Sequence, residues 1–389
     1  MFYNHPYVYG VIGFITPLLS IVSPHALVIP LILLIFINIP SYSKEQYLAL
    51  ATTRLGKAFL AIFSFGLLSS FWAVNPKLSV ILSFKLFFFG LFASLWWTTF
   101  PKLEEKKQTI LLSSFKIGII TAILGCFLES SFNYPLTSFA QKSLSKGVGN
   151  AAMYLSMAIW IFYKRSWLFA FFVFITYKIF TKLGTDTALV GLFIGFIFSL
   201  IYPFIQKLRY THTSILALFL GVTFLTPWVS LKFDNNTAQW LARLTKDTSH
   251  VHRIFILKNT AEEIAKKPIL GHGLDNARTF PKIIDQHDFC PQENKCEPLY
   301  GDRFGLHPHN APTQWWLELG LIGVLLISYF FYRIFKQFSK FDLSKQQVTM
   351  YFCLAVLSII WFSNGAWQSW WISSWVLLFP LLGYKGKKE

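Results

Sequence analysis

Charge is what this sequence has least of. Asp, Glu, Lys and Arg make up 14% of 389 residues, against roughly 25% in soluble domains, which excludes a water-soluble fold as the main architecture. Acid is scarcer still, with 18 Asp and Glu against 35 Lys and Arg. Four cysteines are too few for a disulfide scaffold. The chain lacks low-complexity tracts, heptad arrays and internal repeats, which removes disordered, coiled-coil and solenoid classes. What fills it instead is apolar: 54% hydrophobic and 19% aromatic residues.

Apolar runs of membrane-spanning length predict an all-α polytopic membrane protein. About twelve helices are expected, near 7–23, 25–39, 58–74, 79–98, 109–128, 148–163, 166–181, 186–206, 213–231, 312–335, 347–364 and 368–384. The first two read as a close hairpin. The N-terminus shows no basic region followed by a cleavage site, so the first span is expected to stay as an anchor. Alternate connections carry Lys44, Arg54, Lys57, Lys102, Lys106, Lys107, Lys164, Arg165, Lys207, Arg209, Arg333, Lys336, Lys340, Lys345, Lys385, Lys387 and Lys388, which is 17 cations. Their counterparts carry Lys77, Lys142, Lys146, Lys178 and Lys182, which is five. The positive-inside rule then places both termini in the cytoplasm. It also accounts for most of the net charge of +17, so no nucleic-acid partner is invoked.

One connection differs from the rest. Residues 232–311 form a long polar loop on the outer side, after nine spans within 1–231 and before three spans and a tail within 312–389. A loop of that size needs elements of its own. Ser249–Lys267 reads as an amphipathic helix, with Val251, Ile254, Phe255, Ala261 and Ile264 on one face and Glu262, Glu263, Lys266 and Lys267 on the other. Pro268 and Gly271-His272-Gly273 end it, and Asn236–Leu244 reads as a shorter helix ahead of it. Cys126 and Cys353 sit in apolar spans. Cys290 and Cys296 lie in the loop, where an oxidising compartment favours a local disulfide. Free thiols, or a zinc site with His307 and His309, are the alternatives.

The densest signal is His307-Pro-His309-Asn310, followed after nine residues by Gly320-x-x-Gly323. A histidine near neutral pH serves as a general base, and Asn310 can orient it or bind sugar hydroxyls. Arg253, on the amphipathic helix, can clamp a phosphate with its planar fork. Taken singly, each feature has an ordinary reading. The histidine can be interfacial, the glycines helix packing beneath the site, Arg253 a solvated side chain, and Trp315, Trp316, Trp367, Trp370, Trp371 and Trp375 an aromatic belt. Their co-occurrence in this order favours a site.

That combination resembles the O-antigen ligase family, whose domain also occurs in O-antigen polymerases and protein O-oligosaccharyltransferases. The resemblance covers roughly 170–330 and implies a GT-C-like glycosyltransferase in the bacterial inner membrane. Such an enzyme takes a glycan from undecaprenyl diphosphate at the periplasmic face and joins it to lipid A–core, with no cofactor and no metal. It implies His309 as the catalytic base and Arg253 as the catalytic loop arginine. The sequence departs from the family at Asp186, where an arginine that contacts the carrier phosphates is expected. Lys178, Lys182, Arg278 or Arg303 then remain to supply that charge. A single large loop without an Arg-x₁₀-Gly element favours ligase over polymerase, and the missing C-terminal extension disfavours a protein glycosyltransferase. A lipid-linked glycan flippase or transporter fits the hydropathy, with Lys85 and Lys116 as the cations within spans.

Overall fold

The computed structural model describes residues 5–132, 145–162, 166–205, 211–292, 295–362 and 365–383. The helices are α1 (Pro6–Val22), α2 (Val28–Asn38), α3 (Lys44–Thr52), α4 (Arg54–Leu68), α5 (Pro76–Thr99), α6 (Glu105–Ser131), α7 (Ser145–Ala158), α8 (Ser166–Lys182), α9 (Asp186–Ile205), α10 (Thr211–Ser230), α11 (Asn235–Thr245), α12 (Thr248–Lys266), α13 (Ala311–Phe338), α14 (Leu343–Phe362) and α15 (Ser369–Leu378). The chain is an all-α polytopic membrane protein. Among the described residues eight helices are long and apolar enough to cross a membrane, and Pro6–Val22 and Ser369–Leu381 are shorter apolar helices. Of the cations that set the expected orientation, Lys142, Lys164, Arg165, Lys207, Arg209, Lys385, Lys387 and Lys388 lie outside the described residues.

The large loop forms a small body of its own. Asp234 and Asp247 start its two helices by accepting from the Thr237 and Ser249 backbone N–H groups at 2.8 and 2.7 Å, the ordinary capping chemistry of aspartate. Between α12 and α13 the loop departs from the all-helical expectation. It forms an antiparallel hairpin of β1 (Ile284–Gln292) and β2 (Lys295–Asp302). Short β segments gain stability only by packing or cross-linking, and both are present here. The disulfide Cys290–Cys296 ties the strands near their turn. The apolar side chains of Ala238, Ala242, Val251, Phe255 and Phe289 form a core shared by α11, α12 and β1. The His287 ring stacks on Phe255 at 3.5 Å.

Span α13 is broken. Gly320 has φ 60° and ψ −163° in the middle of it, so the helical bonds across that point, from residues 321 and 322 to 317 and 318, cannot form. A membrane offers no water to replace them. The segment after α12 does so instead. His272 N–H donates to Leu317 C=O and Gly273 N–H to Glu318 C=O, both at 2.8 Å. Leu321 N–H donates to Pro268 C=O at 2.8 Å and Ile322 N–H to Ile269 C=O at 3.3 Å. Four of the groups freed by the break are thus paired.

Two glycines make this crossing possible. A Cβ on Gly320 would strike the Ile269 carbonyl, and one on Gly271 would strike that of Glu318; both residues also have positive φ. The Gly-x-x-Gly element is therefore a break with a docked loop, and the expected close packing of two straight helices is not its role. Gly323 makes room for the Leu319 side chain, folded back across the break.

A cavity of about 600 Å³ runs between α3, α4 and α5 on one side and α13 and α15 on the other. Its wall is mainly apolar, with Phe59, Phe89, Trp97, Phe330 and Trp375 among its side chains. At one end lie Ala311, Ala366 and Trp367, beside the head of α13; at the other lie Arg54, Arg333 and Gln337.

Candidate active site

The helix end at Phe362 gathers the site. The last carbonyls of a helix have no partner inside it, and here two distant side chains supply donors. Asn310 Nδ2 donates to Trp361 C=O at 2.9 Å, and Arg253 Nη1 donates to Phe362 C=O at 3.3 Å. The negative end of the helix favours the guanidinium. Arg253 on α12 and the His-Asn turn at the head of α13 are thereby brought to one place.

Asn310 has a second task. Its Oδ1 accepts from Thr313 N–H at 2.9 Å and Thr313 Oγ1 at 2.8 Å, which makes it the N-cap of α13. His309, one residue earlier, sits in the left-handed region at φ 53°, a conformation that costs a non-glycine residue about 1–3 kcal/mol. The turn is held partly by His307, whose Nδ1 accepts the His309 N–H at 3.3 Å. The two rings meet edge-on at 4.4 Å. Burial, then the charges of His309, Arg278 and Arg253, push His307 down to about 4. It is neutral at neutral pH and keeps Nδ1 free to accept. Its Nε2 lies 3.3 Å from Gln368 Nε2, and Gly365 packs against the ring.

The cations divide into two groups. The arginines whose charges act on His307 are Arg278 and Arg253. Burial lowers Arg253 from its ordinary value, opposed by Asp247 and Asp186. Arg278 is fixed by Asp275, whose Oδ1 accepts from Nη2 at 2.6 Å. Asp275 is itself buried, with its carboxyl raised by desolvation and opposed by Arg278 and Lys85. Lys85, from α5, donates to Trp367 C=O at 3.1 Å, so the cation read in a span belongs to this cluster. Arg303 stands apart: it forks onto Asp285 with two 2.8 Å bonds and closes the base of the hairpin. Lys182 is exposed at the end of α8.

Asp186, which replaces the expected arginine, faces the arginine helix. Its Oδ2 is 3.8 Å from His250 Nε2, and Asp247 Oδ2 is 3.9 Å from His250 Nδ1. Asp186, Asp247 and His250 are, among the described residues, the one cluster with metal-ligand composition. Two of the three are carboxylates open to solvent, and their interaction with the Arg253 guanidinium accounts for them. Cys290 and Cys296 pair with each other, so the zinc alternative with His307 and His309 falls away.

Sequence reading missed Asp275, Glu318 and Gln314, and read Trp367 first of all as a belt residue. Glu318 had a visible signal: an acid inside an apolar span is a functional candidate by default. The others carry no such mark, because their importance arises from contacts between segments far apart in the chain.

The spans and the site together define a polytopic membrane protein with a polar, cation-rich centre at the junction of a broken span and its one large loop. A family model described as O-antigen ligase matches residues 171–328, which takes in Asp186, Arg253, Asp275, Arg278, His309 and Glu318. A provisionally named polysaccharide ligase of Rickettsia conorii is 30% identical over 292 residues, covering 72% of this chain and 67% of that protein. Another from Rickettsia typhi is 29% identical over 344 residues, covering 84% and 80%. No solved structure matches significantly. The chain belongs to the O-antigen ligase family.

Proposed function

We propose that the protein is an O-antigen ligase-type glycosyltransferase of lipopolysaccharide biosynthesis. It moves a glycan from undecaprenyl diphosphate to lipid A–core at the periplasmic face of the bacterial inner membrane, with both termini in the cytoplasm. The observation that carries this reading is the shared docking of Arg253 and Asn310 on the carbonyls of Phe362 and Trp361, which sets an arginine beside the His309 turn. The apolar cavity reaching Ala311 and Trp367 supports a polyprenyl tail lying between the spans, its diphosphate at the site.

In this mechanism His309 takes the proton of the acceptor hydroxyl as that oxygen attacks the anomeric carbon. The sugar–phosphate bond breaks, and its electron pair leaves with the lipid diphosphate. A single displacement inverts the anomeric centre. Arg253, Arg278 and Lys85 stabilise the charge that develops on the leaving group, with Lys182 approaching from the turn before Asp186. Asn310 acts by holding the turn, and Arg303 serves the hairpin. The reaction needs neither nucleotide nor metal.

Purified protein, undecaprenyl diphosphate-linked glycan and lipid A–core, incubated with chelator and without nucleotide, provide the test. Glycan on lipid A–core is the expected product. Longer carrier-linked chains would instead mean polymerase activity, and movement of carrier across the bilayer without transfer would mean a flippase.

A further inference from the structure

Glu318 is fully buried in the first half of α13, and no step of the mechanism uses it. Its Oε2 accepts from the Asp275 N–H at 2.8 Å and from Trp367 Nε1 at 2.7 Å. Its Oε1 accepts from Gln314 Nε2 at 2.8 Å and, longer, from the Ala277 N–H at 3.4 Å. All four partners donate, which only a carboxylate matches; an amide would bring a donor against donors. A buried charge is tolerated when it is fully hydrogen-bonded, and here the bonds all lead toward the site.

Each bond holds a residue that presents a cation or a histidine partner. The Asp275 and Ala277 amides fix the turn whose Asp275 carboxylate grips Arg278 at 2.6 Å. The Trp367 ring fixes the segment whose carbonyl accepts from Lys85 and whose next residue, Gln368, meets His307. Gln314 repeats that hold, because its Oε1 accepts the Ala366 N–H at 2.8 Å. One carboxylate therefore sets the spacing of Arg278, Lys85 and the histidine turn, three groups that come from three separate segments.

We infer that Glu318 is the positioning residue of the cation site, holding Arg278 and Lys85 in register with the His307–His309 turn so that a lipid diphosphate meets both cations at once. This rests on the diphosphate reading given above. It assigns Glu318 to donor recognition; the acceptor side is left to other groups.

The test uses full-length purified protein in lipid nanodiscs and farnesyl diphosphate, a short prenyl diphosphate, as the binding probe. Arg278→Gln is expected to weaken the probe. Glu318→Gln is expected to weaken it about tenfold or more and to lower melting, since it leaves a buried donor unpaired, while the Cys290–Cys296 disulfide stays formed. Trp367→Phe removes one donor but leaves the carboxylate, and is expected to weaken the probe about threefold; it stands in should Glu318→Gln fail to fold.

The deciding measurement is the double variant Glu318→Gln/Arg278→Gln. If Glu318 acts through Arg278, the second substitution adds little to the first. Additive losses, or unchanged probe binding in both Glu318→Gln and Trp367→Phe, overturn the positioning role. A wild-type protein that does not bind the probe, or an Arg278→Gln variant that binds it normally, overturns the diphosphate reading and this inference with it. In the transfer assay the role predicts a raised KM for the lipid-linked donor with an unchanged KM for the acceptor. Equal changes in both would mark Glu318 as structural only.

Discussion

Spans α6 and α13 are of nearly equal length, 27 and 28 residues, and both contain glycines, yet they put them to opposite uses. In α6, Gly118 stays helical and lets α1 pass close, where a Cβ would meet the Phe14 carbonyl. In α13, Gly320 abandons the helix and lets a loop pass through the gap. The first arrangement makes two rods adhere. The second makes a socket, because the half-helix above the break carries Asn310 and Glu318 and receives the segment that carries Asp275 and Arg278. A glycine pair in a span is thus not one signal but two, distinguished by whether another part of the chain can satisfy the opened backbone.

The largest effect expected from breaking this contrast is chemical. His309→Ala should lower transfer by roughly 10²–10⁴-fold with little change in melting temperature, whereas the same scale of loss is not expected from any single substitution on the lipid-facing side of α6. Normal transfer by a stably inserted His309→Ala protein would remove the histidine from the mechanism. Next comes the break itself. Gly320→Ala must place a Cβ at positive φ and against Ile269, a cost of roughly 2–5 kcal/mol. Gly221→Ala in α10 meets nothing within 4 Å and should be neutral or stabilising by up to ~1 kcal/mol. Thermal unfolding of the two variants in one detergent gives the comparison directly, and equal melting temperatures would refute it.

Acid should separate the regions further. The folded protein holds His307 near 4, while the unfolded chain takes up its proton near 6.5. The unfolded state therefore binds more protons between those values, and stability falls as pH drops from about 6.5 toward about 4. His307→Gln should flatten the melting profile over that window; an unchanged acid slope would show that other groups set it. Asn310→Ala, which removes the cap of α13 and the tie to Trp361, should cost about 0.5–2 kcal/mol and lower transfer through the loosened histidine turn. The smallest effect belongs to the loop hairpin. Cys290→Ser should destabilise it locally, by about 2 kcal/mol at most, and leave transfer close to wild type, measurable as faster amide exchange confined to 284–302.

Much of this organisation is legible in the residues. The amphipathic stripe of Val251, Phe255, Ala261 and Ile264 gives α12 to within a residue of its ends, because helix periodicity is a local property. The order of Arg253, the Pro-Gly-Gly turn, His309 and the two later glycines points to the site for the same reason: each element is short and marked. The hairpin escapes, since Ile284–Gln292 mixes charge and histidine without a clean alternation, and its partner strand and Phe255 stabilise it from outside. The socket escapes too. Nothing near Lys85 announces Trp367, and nothing near Asp275 announces Glu318. Asp186 reads as a defect against a phosphate site until the fold shows it opposite His250 and close to Arg253.

The docked break also bears on how the protein is made. Residues 268–273 leave the ribosome before 311–338, so the strap that will close the gap already exists when its span enters the bilayer. Had the order been reversed, four bare peptide groups would wait in hydrocarbon for a segment not yet synthesised. Chain order here puts the closing strap ahead of the span it completes.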